Sequence, residues 1–149
     1  MSADSSSVGA ATLLHPLTLA ALAILVINDH LLKQVAPGAF TGKLSDVAGL
    51  VLVPLLAAGT IELITRRHLS QSWFFLLIVL VAIGFIALQT LPPVGELYRN
   101  GLGLVQYPFR SLFDAPQPQP VHLTQDPTDL FTLPALWAAW YCRGQANST

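Results

Sequence analysis

The sequence predicts an all-α protein, a transmembrane bundle of four helices, or of three if the last apolar segment does not cross. Three observations point there. Of 149 residues, 53% are hydrophobic and only 10% are charged, with a mean hydropathy of +0.59. Soluble domains carry roughly 25% charged residues, so this chain cannot cover a globule with hydrated side chains, and lipid is the expected solvent for much of its surface. The apolar residues are gathered into long runs, and the polar residues between them are mostly turn and cap formers.

The first run, residues 8–27, is interrupted mainly by His15 and Pro16. At 1.5 Å per residue it covers about 30 Å, one hydrocarbon core. "MSADSSS" before it has no positive n-region, and the run leads into "NDHLLKQV" where a signal peptide would have small residues and a cleavage site. It is read as a retained helix. The second run, 47–64, has Pro54 near its middle, where a spanning helix tolerates a kink. Glu62 and Arg66 near its end have the i,i+4 spacing of an interfacial ion pair. The third, 73–91, opens on Trp73 and Phe74, the residue types found at headgroup level, and stops at Pro92-Pro93. The fourth, 127–142, is short and expected as a thin or tilted span, with Trp137, Trp140 and Tyr141 at the far interface.

Residues 92–126 are expected as a surface loop. Its first part, "VGELYRNGLGLVQYPFRSLF", has the mixture of aromatics and arginines that lies flat on a membrane, and "DAPQPQPVHL" is a proline-spaced extended linker. Lys33, Lys43 and Arg99 on one side balance Arg66, Arg67 and Arg143 on the other. The density of Arg66-Arg67 in a short loop places that loop and both termini in the cytoplasm.

Polarity is concentrated in "INDHLLKQVAPGAFTGKLSDVAGL", residues 27–50. Pro37-Gly38 ends one helix, Thr41 or Ser45 can cap the next, and Asp46 sits near its positive end. Asp29 and Lys33 are spaced as an i,i+4 ion pair. A hairpin turn accounts for most of this, but not for Asn28 and Asp29 at the very edge of the apolar run, where ionisable groups are costly and usually face a partner or a cavity. A second cluster, "TQDPTDLF", reads as Asp126 at an N-cap, Pro127 at N1 and Asp129 at N3. In a four-helix topology the first and third loops share a face. The candidate ligand or ion site therefore comprises Asn28, Asp29, Lys33, Thr41, Lys43, Ser45 and Asp46 with Asp126 and Asp129. Two helix N-termini and two lysines suit a phosphate or lipid headgroup; the four aspartates suit a cation or pairing with the lysines.

Other chemistries fit poorly. Cys142 is the single cysteine, which excludes an intramolecular disulfide and paired-cysteine zinc or haem motifs. Seven scattered Lys and Arg make no basic stripe for nucleic acid. "GAFTGKL" lacks the spacing and the Ser/Thr of a phosphate loop and follows no strand. His15 is expected to bond a neighbouring helix; His68 and His122 have no metal-ligand spacing. Asn147-Ser148-Thr149 is a chance sequon. No cofactor and no metal are expected; the expected partners are membrane lipids and other membrane proteins.

"NDHLLK", "TGKLSDVAGL" and "DPTDL" before a last apolar run resemble a group of small bacterial integral membrane proteins of unassigned activity. The resemblance covers about a third of the chain and implies a bacterial inner-membrane protein. A looser similarity is to VanZ-like membrane proteins, which place a histidine near an aspartate; here Leu50 stands four residues after Asp46. The expected role is a non-enzymatic, lipid-interacting or accessory membrane protein. The alternative is a small membrane enzyme or an ion- or proton-coupled transporter using Asp29 and Asp46.

Overall fold

The computed structural model of the chain describes residues 5–36, 38–110, 117, 120, 121 and 123–146. Most of the proline-spaced linker, His122 and the sequon lie outside the described residues. Among the described residues every regular element is helical, as expected of the fold class.

The first apolar run is divided in two. Pro16 has no N–H, so it suits the first position of a helix and breaks any helix that would continue through it. His15 has ψ 137° and accepts the Leu17 N–H through Nδ1 at 3.2 Å, capping the new start. The expected single helix over 8–27 is therefore α1 (Ser5–Leu13) followed by α2 (Pro16–Ile27). Helical structure then runs on through a π-helical turn, Asn28–Leu32, into α3 (Lys33–Val35). The polar "NDHLLK" is thus the last part of a helix and not the turn itself.

Gly38 is the N-cap of α4 (Ala39–Thr65), and its N–H is accepted by Thr41 Oγ1 at 3.2 Å. Pro54 lies inside α4 without ending it, and Arg66 ends it in the left-handed region at φ 52°. The helix α5 (Gln71–Thr90) is followed after Leu91 by α6 (Pro92–Arg110), so much of the expected surface loop is helical. The last apolar segment is not one helix over 127–142. A 3-10 turn, Pro127–Thr132, is separated by Leu133 and Pro134 from α7 (Ala135–Ala146). Twelve residues of α7 make about 18 Å, short of a hydrocarbon core of about 30 Å. Three helical segments, Pro16–Val35, Ala39–Thr65 and Gln71–Thr90, are long and apolar enough to cross a membrane.

The chain forms two compact units, Met1–Ala82 with Phe131–Thr149, and Ile83–Leu130. In the first, α4 is the axis on which α1, α2 and α7 pack. Its core is Ala21, Val51, Leu52, Leu55, Ala58, Phe74, Ala139 and Cys142. Half of the apolar window of α4 is buried, against 17% for Pro16–Val35 and 11% for α5. Leu19, Leu22, Ile24 and Val26 on α2 are exposed, an outward apolar surface that suits lipid and not water. Where α1 crosses α4, Gly9 meets Gly59: a Cβ at Gly9 would lie 3.1 Å from the Gly59 carbonyl oxygen, and one at Gly59 would lie 2.6 Å from Leu13 Cγ. Small residues let the two backbones approach this closely.

In the second unit the end of α5 is held by the chain after the linker. Gln125 Nε2 donates to the Leu88 and Leu91 carbonyls at 2.6 and 3.1 Å, satisfying acceptors that a helix end leaves open. The Val121 N–H donates to the Arg99 carbonyl at 3.1 Å.

Gly59→Ala should lower stability in detergent by about 1–3 kcal/mol, as overpacking does, and less in a Leu13→Ala background. Gly49→Ala on the same helix, where a new Cβ meets nothing within 4 Å, should be neutral or gain up to about 1 kcal/mol. Thermal unfolding of the purified variants reads both.

Candidate functional site

Two polar clusters occupy the two ends of α4. Thr41 and Glu62 are 21 residues apart on one helix, about 31 Å, close to the thickness of a hydrocarbon core. Between them the buried face of α4 is apolar: Ala48, Leu50, Val51, Leu52, Leu55 and Ala58.

The cluster at the start of α4 contains much of the sequence-predicted site. Asn28 is fully buried, and its Nδ2 donates to the Thr41 carbonyl and to Ser45 Oγ, each at 2.7 Å. A carbonyl oxygen only accepts, so the carboxamide nitrogen must face it. Ser45 Oγ passes the chain on, donating to Asp29 Oδ1 at 2.8 Å. That oxygen also meets Lys33 Nζ at 2.7 Å, the expected i,i+4 pair, with both side chains a little over 40% exposed. Asn28 Oδ1 is buried and has no hydrogen-bond partner among the described residues. Asn28 and Asp29 are carried by the segment Asn28–Leu32, which is π-helical, a geometry found mostly as single turns inside α-helices and often at functional sites. Thr41 and Ser45, four apart, share the face of α4 toward α2. Lys43 and Asp46 are half-buried and fall on the other side of the helix at 100° per residue.

Asp126 and Asp129 belong to the second unit. Asp126 Oδ1 accepts the Thr128 N–H at 2.8 Å, so it caps as expected, but it caps a 3-10 turn. Asp129 is buried, and its Oδ2 accepts from Gln89 Nε2 at 3.2 Å, while Gln89 Oε1 accepts the Asp126 N–H at 3.2 Å. A recess of about 130 Å³ in this unit is lined by Pro92, Gly95, Glu96, Arg99, Leu123 and Gln125. It is well under the roughly 300 Å³ of a typical ligand pocket. Among the described residues no group of three His, Cys, Asp or Glu is placed to hold a metal ion.

The cluster at the end of α4 is one that the local sequence does not announce. Glu62 and Arg143 form an ion pair with both side chains at 0% exposure. Arg143 Nη2 donates to Glu62 Oε1, and Nη1 donates to Oε2 at 3.0 Å, a two-pronged fork. Nη1 also donates to Thr12 Oγ1 at 2.8 Å and Nη2 to the Leu69 carbonyl at 3.0 Å. The Leu69 N–H returns to Glu62 Oε1 at 2.8 Å. The guanidinium lies over the Phe74 ring, 5.6 Å from its centroid, and Phe74 stacks on Trp140. The expected Glu62–Arg66 pair is therefore replaced. Arg66 takes the left-handed turn and is exposed, leaving the carboxylate to a partner 81 residues away.

His15, besides capping α2, lies with Nδ1 3.0 Å from Cys142 Sγ. His15 thus bonds a neighbouring helix, as its position suggested.

No protein-family model, curated protein or solved structure matches the chain.

Removing one partner of a buried pair leaves an uncompensated charge, at a cost of about 3–5 kcal/mol, whereas replacing both with apolar residues is often neutral. Glu62→Leu alone and Arg143→Met alone should each lose that much stability, and the double variant should recover most of it, in a double-mutant cycle read by unfolding in detergent.

Proposed function

We propose that the protein is a non-enzymatic, lipid-interacting accessory protein of the bacterial inner membrane. It crosses the bilayer several times, with its termini cytoplasmic, and its polar site is the hairpin between α2 and α4. The observation that carries this reading is the Asp29–Lys33 pair, partly exposed and held from beneath by Ser45 and the buried Asn28. A carboxylate and an ammonium fixed side by side at one end of a helix of membrane-spanning length match a zwitterionic headgroup. The amine of such a headgroup meets Asp29 and its phosphate meets Lys33. Both contacts are charge-assisted hydrogen bonds, strong at the edge of a low-dielectric region. Ser45 and Asn28 have already oriented the carboxylate, so little ordering is left to binding.

The π-helical turn favours a second reading, ion- or proton-coupled transport with Asp29 as a ligand; Asp46, expected beside it, falls on the other side of α4. Ionisable groups near membrane depth are frequent in such pathways.

The headgroup reading is tested on delipidated protein in detergent by titration with short-chain phosphatidylethanolamine and phosphatidylglycerol, followed by native mass spectrometry. Phosphatidylethanolamine should bind preferentially, and Asp29→Asn should weaken it about tenfold, the worth of one charge-assisted bond, with the helical content unchanged. Equal binding of both lipids, unaffected by Asp29→Asn, contradicts it. Ion-driven flux in vesicles that Asp29→Asn abolishes supports transport instead.

A further inference from the structure

Among the described helices α6 is the most amphipathic, and its apolar face is left open. Val94, Leu97, Tyr98, Leu104 and Val105 recur at the three- and four-residue intervals of one face. Leu97 is 73% exposed, Val105 68% and Leu104 60%. Glu96, Arg99, Asn100 and Gln106 lie around the other side. The protein packs on α6 at its glycines, while Glu96, Arg99 and Asn100 stay exposed. Gly95 and Gly103 are buried, Val121 donates to the Arg99 carbonyl, and a Cβ at Gly95 would lie 2.6 Å from Gln125 Nε2. Folding of this unit therefore buries the glycines of α6, leaves Glu96, Arg99 and Asn100 exposed and leaves the apolar side open as well, unlike a helix that docks its apolar stripe on a water-soluble core.

Chain connectivity says what covers that side. The helix α5 is apolar and long enough to span, and its last residue is Thr90. Leu91 alone separates it from Pro92, and two successive prolines, which cannot continue a helix through their missing N–H groups, start α6 in a new helix. Wherever α5 leaves the hydrocarbon, α6 begins within one residue of that boundary. An apolar stripe bordered by Glu96, Arg99 and Asn100, starting at headgroup depth, has the design of an interfacial helix.

We infer that α6 lies in the membrane interface, with Leu97, Leu104 and Val105 inserted among the lipid chains and Glu96, Arg99 and Asn100 turned to water. The inference rests on α5 crossing the bilayer and not on the headgroup site of the hairpin. An α6 in this position would anchor the second unit to the membrane surface.

The test uses the full chain in vesicles of phosphatidylethanolamine and phosphatidylglycerol. In a Cys142→Ser background whose thermal unfolding matches the parent, single nitroxides are placed at Leu97, Leu104, Val105, Glu96 and Asn100. Leu80 and Ile83 on α5 serve as markers of a true span. Collision with oxygen reports lipid, and collision with a water-soluble nickel chelate reports water. The expected result is several-fold higher oxygen-to-nickel ratios at 97, 104 and 105 than at 96 and 100, with high ratios at 80 and 83. Nickel access at 97, 104 and 105 overturns the inference. So does protection from both agents, which means a protein surface covers the stripe; spin–spin broadening between labels then identifies a second copy. Nickel access at 80 and 83 overturns it at its root, by removing the span.

Discussion

The structure of the first unit depends on one constraint: the carboxylate of Glu62, carried near the end of an apolar helix, has to be neutralised out of water. The partner that does so, Arg143, comes from the far end of the chain, and the geometry of that fork fixes much else. It draws α7 onto α4, ties α1 through Thr12, and holds the loop after α4 through the backbone of Leu69. Phe74 at the start of α5 closes it from another side. A twelve-residue helix too short to span alone is thereby bound into the bundle by charge and not by length. Tyr141, two residues before Arg143 on the exposed side of α7, and Trp73, next to Phe74 at the start of α5, are near the same end, where amphipathic rings suit a membrane–water boundary.

The opposite end of α4 has a different logic. There the charges, Asp29 and Lys33, reach the surface, while the buried groups are neutral ones that orient them. One end of the bundle is locked and the other is presented. That asymmetry is why the hairpin, and not the more deeply buried ion pair, is the place to look for a ligand.

Much of the fold was legible because it is written in local patterns. Three apolar runs, the Asp29–Lys33 spacing and the capping role of Asp126 each depend on residues within a few positions of one another, and each appears in the structure. The break at His15-Pro16 was visible too, but its weight was misjudged: a proline suits a helix start so well, once a side chain caps the turn, that the run splits. The Glu62–Arg143 pair was not legible. Arg66, four residues from Glu62, is the better partner on any local rule, and nothing in the spacing reveals that α4 ends by turning Arg66 outward. The same holds for Gln89, a polar residue in the cleanest apolar run, whose partners Asp126 and Asp129 lie about 40 residues on. Of the candidate site, Asn28, Asp29, Lys33, Thr41 and Ser45 are brought together. Lys43 and Asp46 fall on the other side of α4, and Asp126 and Asp129 are engaged within the second unit.

The central claim is that α4 crosses the bilayer with its two polar clusters at opposite boundaries. Single cysteines at Val35, beside the hairpin, and at His68, in the loop beyond Glu62, both exposed positions, can be labelled in intact cells with a membrane-impermeant thiol reagent, with lysed cells as control. One position should label from outside and the other only after lysis, Val35 being the outer one if the termini are cytoplasmic. Both labelling from the same side would contradict the claim, because the helix between them would then not cross.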